Sequence, residues 1–349
     1  MASVTTPNIS AAEVVLPCAD LAPTIAFFEG LGLRIETIFP ADAPTTASLS
    51  GYGLALRLAP GEGDPGRLRL TCEGPTRRLV APNGTIVELV PAAEKAVIPP
   101  FEPGFHLVQP DATSAGTGRA GMLYRDLIPG RLGGRYIASH ISIPEAGPVP
   151  DWVHHHQVRF QFLVCVSGWV RLVYEDQGEP FIFAAGDLIL QPPHIRHQVL
   201  ENSAAFEVVE IACPALHETA ADRAMTLPNT ASPQPRDWSG QRFLHCRGAD
   251  QAWEKVPGGE QRSTGLGVAS AGGAEAVFLR PDQSPGVNLS DSGAEFQFGF
   301  VLSGRGELSA NGRHRIGAAD AFVLPPGQPA RVQSAADPLE LLWVTAPKL

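Results

Sequence analysis

Three consecutive histidines, His154-His155-His156, are answered further along by His197, which closes the run Gly186-Asp187-Leu188-Ile189-Leu190-Gln191-Pro192-Pro193-His194-Ile195-Arg196-His197. Neutral imidazoles are good ligands for first-row transition ions. His154 and His156 are two apart, so on a strand both project to one face while His155 points to the other. Two residues along a strand span roughly 6–7 Å. Two imidazoles can converge across that gap on one ion, at metal–nitrogen bonds of about 2.1 Å. His197 has to come from a different strand, after a Pro192-Pro193 turn that cannot be helical. Seven of the ten histidines lie between residues 140 and 217, so any chemistry is expected there.

The elements around this trio read as short strands. Period-2 alternation marks strands at 135–143, 153–159, 161–166, 170–175, 181–184, 188–191, 197–200 and 206–211, a density that calls for a sandwich or barrel. Side-chain parity switches between His156 and Gln161, so a turn or bulge is expected between them. Beyond it Gln161, Leu163 and Cys165 share a face, and Val199 follows His197 on the metal side. Tyr136, Ala138 and His140 share a face of the earlier strand, either towards a pocket or away from it. Residues 238–349 read as a degenerate repeat. Phe160-Gln161-Phe162 and Val166-Ser167-Gly168 are matched by Phe296-Gln297-Phe298 and Leu302-Ser303-Gly304, and Asp187, Pro192 and Pro193 by Asp320, Pro325 and Pro326. Repetition of this kind means that one supersecondary unit is used twice.

The 349 residues exceed one hydrophobic core. The reading is a mainly β chain with domains at about 1–95, 96–225 and 226–349. Pro/Gly-rich stretches at 99–104 and 111–118 and the connector 227–235 lie between strand-rich segments. Hydrophobic residues make up 44% and charged residues 18%, the balance of an ordinary soluble globular protein. A net charge of -10 and the lack of a dense basic cluster argue against a nucleic-acid partner. The five cysteines (Cys18, Cys72, Cys165, Cys213, Cys246) form no CxxC pair, which points to buried free thiols in a reducing cytoplasm. The start, Met1-Ala2-Ser3-Val4-Thr5-Thr6-Pro7, has neither the basic beginning nor the apolar run of a signal peptide. No stretch approaches the roughly 20 apolar residues of a membrane helix.

The first segment reads as a strand at 14–17, a helix through Leu21–Leu31 capped by Asp20 and ended by Gly32, strands at 33–39 and 53–58, and a last strand at 85–90. With Phe27-Phe28-Glu29, Leu31-Gly32-Leu33 and the closing Pro82-Asn83-Gly84-Thr85-Ile86-Val87-Glu88-Leu89, this β-α-β-β-β order resembles one module of the glyoxalase/bleomycin-resistance (vicinal oxygen chelate) family. The resemblance implies metal-ligand positions at Glu13 and Glu88. Sites of that family need two modules, so here the segment is expected to be structural or dimerising, and a homodimer is expected through it or through a barrel edge.

The block from Gly147 through His154-His155-His156, Gln161 and Gly168, and the block from Gly186-Asp187 through Pro192, His194 and His197, resemble the two motifs of the cupin superfamily. The resemblance implies two double-stranded β-helix (jelly-roll) barrels, the first binding metal and the second metal-free. It also implies a ligand set of His154, His156, Gln161 and His197. Gln161 departs from the family's usual glutamate. The repeat keeps Gln297 opposite Gln161 while placing Ser290, Ser292 and Ala330 where the three histidines stand. A glutamine bonding to backbone in both barrels explains that better than a retained ligand. The reading is therefore a three-histidine site, with Gln161 beside it or as a weak fourth ligand. Polar residues in a barrel mouth would explain one histidine more readily than three. His155 is expected on the surface and His194 in a turn.

Three neutral imidazoles leave a divalent ion its full charge and an open face. Fe(II) is the first expectation, with Ni, Mn, Cu or Zn also compatible. Similarity to three-histidine cupins of the dioxygenase type implies a mononuclear oxygenase acting on a small phenolic, enolic or β-dicarbonyl compound, with Gln161 and Arg159 orienting the substrate. Arg159 reads more readily as a surface ion-pairing residue. A non-oxidative isomerase, lyase or cyclase and a non-catalytic binding protein are the alternatives. No G-x-S-x-G elbow supports a hydrolase, and no helix-turn-helix supports a transcription factor.

Overall fold

The computed structural model describes residues 9–91, 96–110, 115–230, 236–289 and 293–348. The chain divides into two compact units, Met1–Glu94 and Lys95–Leu349. In the first, β1 (Val14–Pro17), α1 (Leu21–Gly30), β2 (Arg34–Phe39), β3 (Thr46–Gly51) and β4 (Leu54–Ala59) are followed by β5 (Arg67–Cys72), β6 (Arg77–Val80) and β7 (Ile86–Pro91). The β-α-β-β-β order is present, but its last strand is β4. Strands β1 to β4 form one sheet in the order β1-β4-β3-β2, with β1 and β4 parallel. β7, expected to close that sheet, belongs to a separate one, β5-β7-β6. The strand at 46–51 escaped the sequence reading because Thr46-Ala47-Ser48-Leu49-Ser50-Gly51 has almost no β-branched or aromatic content.

Helix α1 buries Thr24, Ile25 and Phe28. Asp20 stands at its N-cap but makes no capping bond, and Thr24 Oγ1 instead donates to the Asp20 carbonyl at 2.7 Å. Gly32 follows at φ +90°, where a Cβ would come within 2.2 Å of the Tyr52 hydroxyl. The left-handed backbone there favours glycine, and the exposed Tyr52 hydroxyl would have to move aside for any Cβ.

The second unit opens with β8 (His106–Val108), β9 (Gly116–Thr117) and β10 (Leu123–Asp126). The first barrel continues with β11 (Ile137–Ile143), β12 (Gly147–Pro148), β13 (His154–His156), β14 (Phe160–Ser167) and β15 (Trp169–Tyr174). It is completed by β16 (Phe181–Ala184), β17 (Leu188–Gln191), β18 (His197–Asn202), β19 (Phe206–Cys213) and β20 (Thr219–Ala221). The second barrel holds β21 (Leu244–Cys246), β22 (Glu254–Val256), β23 (Gly259–Ser263), β24 (Glu275–Pro281), β25 (Val287–Asn288) and β26 (Ala294–Ser303). It ends with β27 (Arg305–Ser309), β28 (Arg313–Gly317), β29 (Ala321–Val323), β30 (Arg331–Ser334) and β31 (Glu340–Pro347).

The repeat is visible strand by strand. The order β17-β14-β19-β11 in one large sheet is reproduced as β29-β26-β31-β24 in the other, and β16-β15-β18 as β28-β27-β30. Asp187 Oδ2 accepts from the Ala184 amide at 3.1 Å, and Asp320 Oδ2 from the Gly317 amide at 2.8 Å. Gly168 and Gly304 both turn at positive φ where a Cβ would clash, with Ser203 Oγ at 2.4 Å and with the Pro338 carbonyl oxygen at 1.8 Å.

The barrels also exchange edges. β8, from the lead-in to the first barrel, pairs with β29 of the second, and β21, from the lead-in to the second, pairs with β17 of the first. Their large sheets meet face to face in one core that includes Tyr136, Phe160, Phe162, Phe278, Phe296, Phe298 and Phe300. Alternation then decides what is left for a site. Phe160, Phe162 and Val164 enter the inter-barrel core, so Gln161 and Leu163 face the first barrel's interior.

Candidate metal centre and its cavity

β13 carries only His154–His156, and the chain breaks away before β14, which is the expected change of parity. His154 lies directly across from His197 of β18 in antiparallel register. The ring centroids of His154 and His197 are 4.2 Å apart, those of His154 and His156 5.2 Å, and those of His156 and His197 5.3 Å. One nitrogen of each lies within 4.8 Å of the others. Among the described residues, no other group of His, Cys, Asp or Glu side chains has this geometry.

The other ring nitrogens are engaged. His154 Nδ1 faces the Trp152 carbonyl at 2.7 Å, His197 Nδ1 the Ile195 carbonyl at 3.1 Å, and His156 Nδ1 the Thr219 hydroxyl at 3.0 Å. A carbonyl can only accept, so Nδ1 of His154 and His197 carries the proton and Nε2 presents its lone pair. His154 Nε2 is buried without a partner. A buried acceptor left unpaired is costly, and an ion bound there removes the cost. The residues fit a mononuclear transition metal.

Burial keeps the rings neutral. It lowers His154 to about 4, with the Arg119 guanidinium adding to the effect. His156 and His197 are held well below the usual histidine value, again by burial first and then by the neighbouring imidazoles. The surroundings fix the rings further. Tyr174 stacks on His197 at 5.3 Å, and its hydroxyl accepts from Gln191 Nε2 at 2.6 Å. Trp152 packs edge-on against His154 at 5.2 Å.

Gln161 is buried at this level, in register with Gln191. Its Nε2 donates to Glu210 Oε1, and its Oε1 has no hydrogen-bond partner. The expected bond to backbone is therefore replaced by one to a carboxylate. Gln297 does bond to backbone, donating to the Pro325 carbonyl at 3.3 Å. Ala330 is buried in the second barrel's core, while Ser290 and Ser292 lie outside the described residues.

Arg159 does not line the cavity; Arg119 does. Arg119 ion-pairs with the fully buried carboxylate of Asp151 and lies 5.5 Å from the Trp152 ring. Asp151 is fixed in turn by the Val199 amide, at 2.9 Å. Tyr136 and His140 face the second barrel. The Tyr136 hydroxyl donates to Glu295 at 2.9 Å beside Arg135, and His140 sits 5.6 Å from Phe300. His155 points away from the trio towards the exposed His194, with ring centroids 5.4 Å apart. Glu13 is exposed beside Arg57 at 3.6 Å, and Glu88 lies on β7 in the other sheet of its unit.

The sequence reading missed Arg119, Glu210 and His217, all of which line the cavity. Glu210 lies inside a strand whose two faces are both buried, so alternation could not say which way it points. Arg119 and His217 lie outside the strands, where no periodicity applies.

The cavity is about 550 Å³ and its lining is graded. His197, Tyr174, Gln161 and Gln191 share one level. One rung further, Glu210 is flanked in register by Leu163 and Ser139, and Leu172 pairs with Val199. The next rungs bring Val208 beside Ile141, then Phe206 beside Ile143. His217 and the exposed Leu216 lie at the histidine end, His217 5.5 Å from His156.

This is a cupin-like fold of two barrels with a histidine metal site in the first. A family model described as the AraC-like ligand binding domain matches residues 291–348. No curated protein matches the sequence. Among solved structures, the E. coli protein Ylba is 11% identical, covering 72% of this chain and 94% of its own at a TM-score of 0.51. A deletion mutant of Bacillus subtilis oxalate decarboxylase OxdC is 12% identical, covering 74% and 80% at 0.52. The oxalate decarboxylase from Bacillus subtilis at pH 4.6 is 13% identical, covering 74% and 79% at 0.51. Identities this low establish the shared fold alone.

Proposed function

We propose that the first barrel is a metal-dependent, non-oxidative lyase or isomerase acting on a small organic acid, with His154, His156 and His197 as the metal ligands. The observation that carries this reading is Glu210. Its carboxylate is one rung below the histidine level and is oriented by Gln161 at one oxygen, leaving the other free to take up or return a proton. An ion held by the trio supplies Lewis acidity towards a carboxylate or carbonyl oxygen. Arg119 offers its guanidinium to a second oxygen of the same group. Glu210 moves the proton at the neighbouring carbon, and the apolar wall excludes water from it. Gln161 acts here by holding Glu210, and Arg159 lies outside the cavity lining. The fold shared with proteins named as oxalate decarboxylases agrees with a non-oxidative reaction.

The second barrel, about residues 226–349, is metal-free and structural, its interior filled by Phe322, Leu324 and Trp343. The first unit is a vicinal-oxygen-chelate-like module in a homodimer, a role supported by its exposed Val15, Ile35 and Phe39. A cytoplasmic location is supported by five free cysteines.

The test is turnover under argon. Metal-loaded protein in deuterated water is expected to exchange the substrate's α-proton for deuterium without consuming oxygen, and Glu210→Gln to slow this by about 10²–10⁴. The three-histidine set without a carboxylate favours the dioxygenase as a second reading. Oxygen uptake stoichiometric with product would establish it in place of the first.

A further inference from the structure

We infer that this cavity takes an amphiphilic monocarboxylic acid, with its head at Arg119 and the histidines and an apolar tail running down the barrel towards Phe206 and Ile143. The chemistry at the head rests on the function proposed above; the tail site does not. Size sets the site apart from one built for the smallest acids. The cavity of about 550 Å³ falls within the roughly 300–1,000 Å³ of sites that take drug-sized ligands, far more than a two-carbon acid fills.

Strand register sets a polarity gradient along the barrel. Along β14, β19, β11 and β15 the inward residues change from polar to apolar in the same direction. Gln161 gives way to Leu163, Glu210 to Val208 and Phe206, Ser139 to Ile141 and Ile143, and Tyr174 to Leu172 and Val170. Four residues of strand beyond the histidine level, as far as Val208, Ile141 and Val170, amount to roughly 13 Å, the reach of a chain of several carbons. The corresponding interior of the second barrel is plugged, with Trp343 in the register position of Glu210. An empty apolar shaft therefore distinguishes the first barrel from its own repeat.

Charge favours an acidic head group. Arg119 is the arginine on the lining. Asp151 and Trp152 hold it in place, so a carboxylate meets a prepositioned cation next to the metal site.

The experiment titrates the full-length protein, zinc-loaded and metal-free, with straight-chain carboxylates from acetate to decanoate and with the matching alcohols, by calorimetry. Affinity is expected to rise about fourfold per added methylene until the shaft is full, in both metal states. Arg119→Gln is expected to weaken the acids about tenfold or more and to leave the alcohols unchanged. Val208→Phe is expected to shorten the preferred chain. Affinity independent of chain length would overturn the inference, as would equal losses of acids and alcohols in Arg119→Gln. Long acids that bind with this signature and are never turned over would support the inference while defeating the proposed reaction.

Discussion

At the residue scale the decisive fact is tautomeric. His154 and His197 spend Nδ1–H on backbone carbonyls, so both present Nε2 to the same space. Replacing any one of His154, His156 or His197 by alanine is expected to weaken metal binding by more than the roughly 10–100-fold typical of losing an outer partner. Gln161→Ala is expected to change affinity far less while lowering kcat through Glu210; metal titration alongside kinetics separates the two. Protonation gives a second check. The unfolded chain takes up a proton on each histidine below about 6.5, whereas folded His154 resists until about 4. The unfolded state therefore binds more protons in that window, and stability falls as pH drops from about 6.5 towards 4. Melting temperature of the metal-free protein against pH should show this slope, and His154→Asn should reduce it.

Strands explain why the site is where it is. Alternation along β14 sends phenylalanines into the inter-barrel core and Gln161 into the barrel, so one element builds both the support and the site. Along β19, Val209 and Ile211 are buried against the second barrel while Val208 and Glu210 face inward. Glu210→Gln keeps that packing and is expected to lower kcat by about 10²–10⁴ with an unchanged melting temperature and metal content. A large fall in stability would instead mark the carboxylate as structural.

The whole molecule adds a constraint that neither barrel has alone. Because β8 and β21 cross between the barrels, neither large sheet is complete without the other half of the unit. Residues 95–349 expressed alone are expected to fold and bind one metal ion per chain. A fragment ending at residue 225 loses β21 and uncovers Phe160 and Phe162, and is expected to aggregate on size-exclusion chromatography.

The sequence by itself determined the metal trio, the parity break before Gln161 and the twofold use of one barrel, because ligand spacing, strand alternation and repeated turns are local properties. It also told His155, which points towards His194, from the convergent pair beside it. The strand order of the first unit, the exchange of edges, and the positions of Arg119, Glu210 and His217 were decided by tertiary structure. The reason is that a strand buried on both faces carries no mark of which face is the cavity, and a loop residue carries no period at all. Only the docking of the second barrel, which claims the Phe160 face, assigns the other face to chemistry.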